Sequence, residues 1–420
     1  MNKCRFDTLC QFVNKCRFDF NMLYILYNIL MLNHSDVSKL YIVENIRLNN
    51  WNIFLKNTTT QIVKLLQTKD IFIKNKNLLQ IIINFNTFII GMISLPETVF
   101  FPSADNIRNF QSVFFDELNY QTTGEYQDIR GAILSVIIDN MNLVKKKFIN
   151  DVKNAGNQLI KIIIQKKSDD VKLIIKDEKY NNTFNISKRY YERLKKMFIY
   201  EKYYDIFLST LLLRYRYYTF LKEGICFSVA TIYNILFKNN IQDIALEAFA
   251  GSLNSNLKNY CSLFYDIEQY FGSLGSFISK DPNCKFDIIV SNPPYIDSVM
   301  EKSAEIIIDF LDRCDGDKFI VTTIPDWRSV DDYELDKNIE IKNADREMKR
   351  STLPYMGYNI LRHSKYFRKI YHLGKYKYHN FFKNKDMEIN VDTIIIFLSK
   401  SLNNKYLNIF EREFDLAELS

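Results

Sequence analysis

No Cys-x-x-Cys pair occurs anywhere in the chain, and no His stands at metal-ligand spacing from a Cys. That absence excludes a structural zinc centre. The seven Cys, at positions 4, 10, 16, 226, 261, 284 and 314, are an odd number without a disulfide framework, so they are expected to stay reduced in an intracellular protein. A membrane span is missing too. The stretch from Phe20 to Leu32 follows Lys3, Arg5, Lys15 and Arg17 and imitates a signal peptide, but it falls well short of the ~20 residues a span needs. Asn21 and Asn28 interrupt it and no small-residue cleavage site follows, so a buried helix is expected. Nor is there a dominant charge: a net +7 over 420 residues permits an anionic partner without requiring one.

What is present is length enough for two or three domains and a large aromatic complement, 27 Tyr and 33 Phe, which raises the prospect of stacking surfaces. The N-terminus repeats "NKCRFD" at a twelve-residue interval, and two copies do not make a solenoid. Residues 1–125 read as a helical region of unknown role, closed by Pro96 and Pro102. Residues 126–205 form an accessory region: a long amphipathic helix ending at Gly156, a β-hairpin from "LIKIIIQ" and "VKLIIKD", and the helix "ISKRYYERLKKMF" with Ser187 as N-cap. From 206 to 403 strand-like runs alternate with helical stretches, which predicts a mostly parallel α/β sheet with helices on both faces. Residues 404–420 are left as an acidic tail. The charged stretch "SVDDYELDKNIEIKNADREMKR" is expected to be a mobile loop.

Ligands of open α/β sheets bind outside the carboxyl ends of the strands. Three such ends are informative. "ALEAFAGSLNSN" carries Glu247 in a strand and then Phe249, Ala250, Gly251 and Asn254, with small residues that would let a ligand approach the backbone. "YCSLFYDIEQYFGSLGSF" offers Asp266, or Glu268, as an acid for a ribose diol, followed by Phe271 and Gly272. The third is "DIIVSNPPYIDS". An amine conjugated to a ring is a poor nucleophile until its hydrogens are held. The Asn292 side-chain oxygen and the Pro293 carbonyl form such an acceptor pair. Pro293 and Pro294 keep it rigid and offer no competing N–H. Tyr295 supplies a stacking face for a planar base. The chemistry implied is methylation of an amine from S-adenosylmethionine, with no metal.

From about Tyr190 to Lys400 the chain resembles the cap-specific adenosine-N6 methyltransferases typified by the phosphorylated C-terminal-domain interacting factor. The shared stretches are "YYERLKKMF", "LLLRY", "EAFAGSLN", "YCSLFYDIEQYFGSLGSF", "SNPPY", "IPDWR" and a late "YHN". Family members commonly carry NPPF where this chain has NPPY. The resemblance implies a Rossmann-like S-adenosylmethionine-dependent methyltransferase domain behind a mainly helical N-terminal region. It also implies methyl transfer to N6 of the first transcribed adenosine, usually 2′-O-methylated, beside the N7-methylguanosine cap of mRNA. Asn292, Pro293, Pro294 and Tyr295 match the catalytic slot, and "FAGSLN" and the Asp266 region fall where the cofactor is held. A WW domain needs two Trp about twenty residues apart; with only Trp51 and Trp327, contact with phosphorylated polymerase tails through such a domain is not expected.

Lys365 to Lys385 interleaves cations with rings and contains no acid, a composition suited to single-stranded RNA, with Lys365, Arg368, Lys375 and Lys377 as candidate contacts. Trp327 and Arg328 are expected to border the target nucleotide or the cap phosphates. A DNA adenine-N6 methyltransferase, a protein glutamine methyltransferase and a non-catalytic RNA-binding subunit remain alternatives. Abundant Asn, Lys, Ile and Tyr suggest an AT-rich genome, so cytoplasm, nucleus and a viral replication compartment are all open.

Overall fold

The computed structural model describes residues 34–68, 77–79, 81–82, 101, 104–109, 127–155, 160–176, 181–200, 202–218, 230–278, 282–295, 297–328, 356–374, 377–380, 385–388 and 392–418. The N-terminal repeat, the Phe20–Leu32 stretch, Gly156 and most of the charged loop after Arg328 lie outside them.

Helices α1 (His34–Gln67), α2 (Ala104–Asn109) and α3 (Gln127–Asn154) build the N-terminal region. Their apolar stripes meet around Trp51, which is fully buried against Phe54 and Phe101. An antiparallel sheet follows: β1 (Lys161–Lys166), β2 (Asp170–Lys176) and β3 (Asn181–Ser187), in that spatial order. The expected hairpin is β1 and β2. Strand β3 was not legible because "NNTFNIS" buries only Phe184 and Ile186. Helix α4 (Lys188–Met197) starts where expected, with the Ser187 hydroxyl accepting from the Tyr190 N–H. Helix α5 (Tyr204–Tyr218) then packs against α1.

The second half alternates as its apolar runs require. Helix α6 (Ala230–Lys238) precedes β4 (Ala245–Ala250), β5 (Tyr260–Ser262), α7 (Tyr265–Glu268), β6 (Ile288–Ser291), α8 (Asp297–Arg313), β7 (Phe319–Pro325) and α9 (Met356–Arg362). After these come β8 (Phe367–Gly374), the ribbon of β9 (Lys377–Asn380) and β10 (Lys385–Glu388), β11 (Thr393–Ser399) and α10 (Lys405–Glu418). The main sheet has the order β5-β4-β6-β7-β11-β8. Strands β5, β4, β6 and β7 are parallel, and β11 runs against both its neighbours. This is a mixed α/β sheet behind a helical region, compatible with a Rossmann-like fold.

Both faces are covered, which explains why the strands read as continuous apolar runs. Ile394, Ile396 and Leu398 of β11 face α8 and α9, while Ile395 and Phe397 face α6 and α10. Gly357 is required by the first of these layers: a Cβ there would press on the Met300 backbone of α8. The chain leaves β4 toward β5 on one side and reaches β6 and β7 on the other, so the gap between β4 and β6 is a topological switch point.

Three sequence expectations are corrected. The acidic tail is helix α10, whose Phe410 and Phe414 are buried against Phe397. Its charges lie on one face only, so average composition misrepresents it. Cys284 and Cys314 form a disulfide, because the β6-α8-β7 unit brings their Cα atoms to 5.2 Å across 30 residues. Strand β5 ends at Ser262, and Asp266 and Glu268 stand in α7 rather than at the strand's end. Among the described residues no helix is long and apolar enough to cross a membrane, and no cluster of metal-ligating side chains occurs.

Candidate functional site

Strand β6 is buried throughout and delivers Asn292 to the carboxyl edge of the sheet beside the switch point. Pro293 is buried, while Asn292, Pro294 and Tyr295 are half-buried. The strand can stop here because prolines donate nothing to a ladder. Next to it, β7 ends at Pro325, and the chain turns at once: the Trp327 N–H donates to the Pro325 carbonyl at 3.0 Å. That turn brings the Trp327 ring edge-on to Tyr295, with centroids 6.4 Å apart and planes at 75°. Two motifs 32 residues apart in sequence therefore meet at the carboxyl edge of the sheet.

Arg328 does not fit its expected role. Its side chain is fully buried, pairs with both Asp326 oxygens at 2.8 and 2.9 Å, and lies over the Tyr358 ring. His372 of β8 brings Nε2 to 3.4 Å from the same carboxylate. The Asp326 N–H donates to the Asp392 carbonyl at 2.7 Å. Arg328 is thus a strut that holds the turn bearing Trp327, and a phosphate cannot reach it. Asp326, Tyr358 and His372 were missed as a group because 46 residues separate the first from the last. The Asp within "IPDWR" was the one available signal.

The loop after β4 is wound tightly from within. The Asn254 Oδ1 accepts from the Gly251 N–H at 2.7 Å, and Glu268 accepts from the Ser252 N–H at 2.7 Å. Arg193 of α4 donates to the carbonyls of Ser252, Leu253 and Ser255. Burial lowers the Arg193 pKa, a cost these carbonyls offset. Glu247 is turned inward, accepting from the Tyr233 hydroxyl and the Asn256 and Leu257 N–H groups. Burial raises its pKa against the pull of those donors. It braces the loop and does not face a ligand. Gly251 is small for a different reason than expected: the Tyr215 hydroxyl fills the space a Cβ would take. Phe249, Ala250 and Asn254 remain partly accessible, whereas Phe271 is core and Gly272 provides a left-handed turn at φ 93°.

The acid after β5 is similarly sorted. Glu268 is fully buried and takes donors from Ser252, Phe264 and Tyr215, so it cannot serve a ribose. Burial pushes its pKa up. Asp266 keeps 22% of its side chain exposed while Arg214 holds Oδ1, and Arg47 lies 3.9 Å from Oδ2. Burial alone would raise its pKa, but the Arg214 and Arg47 charges prevail and lower it. Asp266 is therefore a partly accessible carboxylate held between two arginines.

The basic aromatic segment is divided by the sheet. Phe367 pairs with Leu398 near the amino edge of β7, and Gly374 pairs with Thr393 beside Pro325 at the carboxyl edge. Lys365 and Arg368 thus stand at the wrong end, roughly 20 Å from the slot at ~3.3 Å per residue. Lys365 pairs with Asp312, and Arg368 is consumed by the carbonyls of Lys365, Phe367 and Ser399. Tyr366 and Tyr371 are core. Lys377 opens β9 beyond the carboxyl edge, and Lys375 lies outside the described residues.

Residues 186–352 match the family described as the phosphorylated CTD interacting factor 1 WW domain. This stretch is similar to that family. Its description names a WW domain, but the matched stretch holds a single Trp and spans β4 to β7. The mRNA (2'-O-methyladenosine-N(6)-)-methyltransferases of Mus musculus and Homo sapiens are each 30% identical to the chain over 86 residues. The alignment covers 20% of this chain and 12% of each relative. The similarity to the phosphorylated CTD interacting factor family thus takes in α4, the β4 loop, the Asp266 turn, the Asn292–Tyr295 slot and Trp327.

Proposed function

We propose that the protein transfers a methyl group from S-adenosylmethionine to N6 of the first transcribed adenosine beside the N7-methylguanosine cap of mRNA. The observation that carries this reading is the edge-on meeting of Tyr295 and Trp327 behind Asn292 and Pro293 at the switch point. The named activity of the two relatives supports it. The cofactor, when bound, supplies an electrophilic methyl group on a sulfonium.

The residues present suit that cofactor. Asp266 keeps part of its carboxylate accessible for a ribose diol, and Phe249 and Ala250 leave partly open surface at the end of β4. The loop from Gly251 to Leu257 has its amides engaged, so it presents a fixed surface. In the slot, Asn292 and the Pro293 carbonyl accept the two hydrogens of the adenine amine and free its lone pair. Tyr295 holds the ring by stacking, and Trp327 keeps Tyr295 from turning away. The proton released after transfer passes to water, so no strong base is required.

The test is a side-by-side assay with labelled S-adenosylmethionine on capped RNA, uncapped RNA and duplex DNA. Label in N6-methyladenosine of capped RNA alone is expected. Equal rates on uncapped RNA would remove the cap, and preference for duplex DNA would make the enzyme a DNA adenine methyltransferase.

A further inference from the structure

On the α6 face of the molecule a cleft of about 870 Å³ opens between the β1-β2 turn, the start of α4 and α6, and its walls include Lys188, Arg189, Tyr190, Arg193, Tyr233 and Phe237. Nothing in the methyl-transfer slot uses it. Its charges are placed against the interests of the fold. Lys188 and Arg189 occupy the first turn of α4, where the helix dipole favours acids, and no acid is present there. Both are exposed, and neither has an ion-pair partner among the described residues. Arg189 also opposes Arg193 electrostatically. The acids at the rim do little to offset them: Glu192 is taken by Lys166 at 3.6 Å, and Asp169 is exposed in the turn beside Lys167. A helix start that repels its own cations is stabilised when an anion arrives.

Three aromatic residues, Tyr190, Tyr233 and Phe237, share the rest of the wall with small and polar side chains. Phe237 leaves 49% of its surface in solvent on the exposed face of α6, beside Asn234, and the Tyr190 ring carries the Arg193 guanidinium at 5.4 Å. Lys188 and Arg189, without ion-pair partners among the described residues, stand in one cleft with the exposed Phe237 ring and match a phosphate backbone with an unstacked base. An acidic peptide would satisfy the cations and leave Phe237 unused. The cleft is also near the slot: the Tyr233 hydroxyl bonds Glu247 of β4, which pairs with Val290 of β6, two residues before Asn292.

We propose that this cleft binds single-stranded RNA, namely the nucleotides downstream of the methylated adenosine. The inference rests on the proposed RNA substrate, and its test separates the two. Fluorescence anisotropy of a labelled 20-nucleotide single-stranded RNA would be measured with the full chain and with a Lys188→Glu/Arg189→Glu variant. Acids at a helix N-terminus favour the helix, so the variant should keep its melting temperature. We expect at least a tenfold loss of affinity. The slope of log K against log salt should become shallower by about 1.4, for two lost phosphate contacts. Phe237→Ala should weaken binding with little change in slope, and the charge-conserving Lys188→Arg/Arg189→Lys should bind as the parent does. In methyl transfer, the KM advantage of a capped 20-mer over a capped dinucleotide should collapse in the Glu variant. Equal RNA affinity of parent and Glu variant would overturn the proposal, as would a polyglutamate peptide that binds the parent more tightly than RNA. RNA binding that needs Lys188 and Arg189 without methylation of any RNA would instead overturn the proposed reaction and leave the cleft standing.

Discussion

In the proposed reaction Asn292 acts on the substrate amine, so its removal should divide turnover from cofactor affinity. We expect Asn292→Ala to abolish methyl transfer while S-adenosylmethionine affinity, measured by calorimetry, stays within a few-fold. Substantial turnover in that variant would remove the slot from the mechanism. In the proposed reaction Tyr295 contributes its ring face and not its hydroxyl. Tyr295→Phe should remain active and Tyr295→Ala should not, with steady-state rates as the readout. A dead Phe variant would give the hydroxyl a chemical role. The identities of these residues were readable from sequence because Asn-Pro-Pro-Tyr after an apolar run is a local pattern. The role of Arg328 was not, since a cation looks alike in sequence whether it meets a phosphate or, as here, a buried carboxylate.

Among the elements, α4 connects the accessory sheet to the β4 loop through one side chain. Arg193 holds three consecutive-turn carbonyls, and hydrogen bonds from a charged donor contribute about 1.5–3 kcal/mol. Arg193→Ala should lower the unfolding midpoint in urea and weaken cofactor binding together. Arg193→Lys should rescue only part of either effect, because a point charge cannot reach three acceptors at once. An Ala variant with unchanged cofactor affinity would mean that the loop holds its form without α4. Strand-helix alternation was legible at this scale because each strand is buried on both faces. Strand β3 and helix α10 were obscured, the first by sparse apolar residues and the second by its charged outer face.

For the molecule as a whole, the helical region and the sheet domain share a buried ionic cluster. Arg214 of α5 bonds both oxygens of Glu44 in α1 and one oxygen of Asp266 in α7, with Arg47 alongside. Arg214→Met leaves Glu44 and Asp266 to Arg47 alone and should cost up to about 3–5 kcal/mol in denaturant unfolding. The Asp266 pKa is lowered in the folded state, so its ionised form stabilises above the unfolded value of about 3.9 and that stability is lost as pH falls through the folded value. Asp266→Asn should therefore be less stable than the parent from pH 7 to about 5, and the gap should narrow below about pH 4. A gap that stays constant down to pH 2 would show that the carboxylate charge contributes nothing.

What the sequence determined by itself is whatever depends on near neighbours: the alternating elements, the Ser187 cap, the β1-β2 hairpin and the proline stop that ends β6 before Asn292. Their physics operates within a few residues, through hydrogen-bond geometry, proline rigidity and burial periodicity. The tertiary structure decided which charges are free. It sent Glu247 and Glu268 inward to clamp a loop, enclosed Arg328 beside Asp326, and set Lys365 and Arg368 at the far edge of the sheet. It left Lys188 and Arg189 at a helix start without ion-pair partners among the described residues. An ion's role depends on what lies within about 4 Å of it, and only the folded chain brings together partners as far as 170 residues apart.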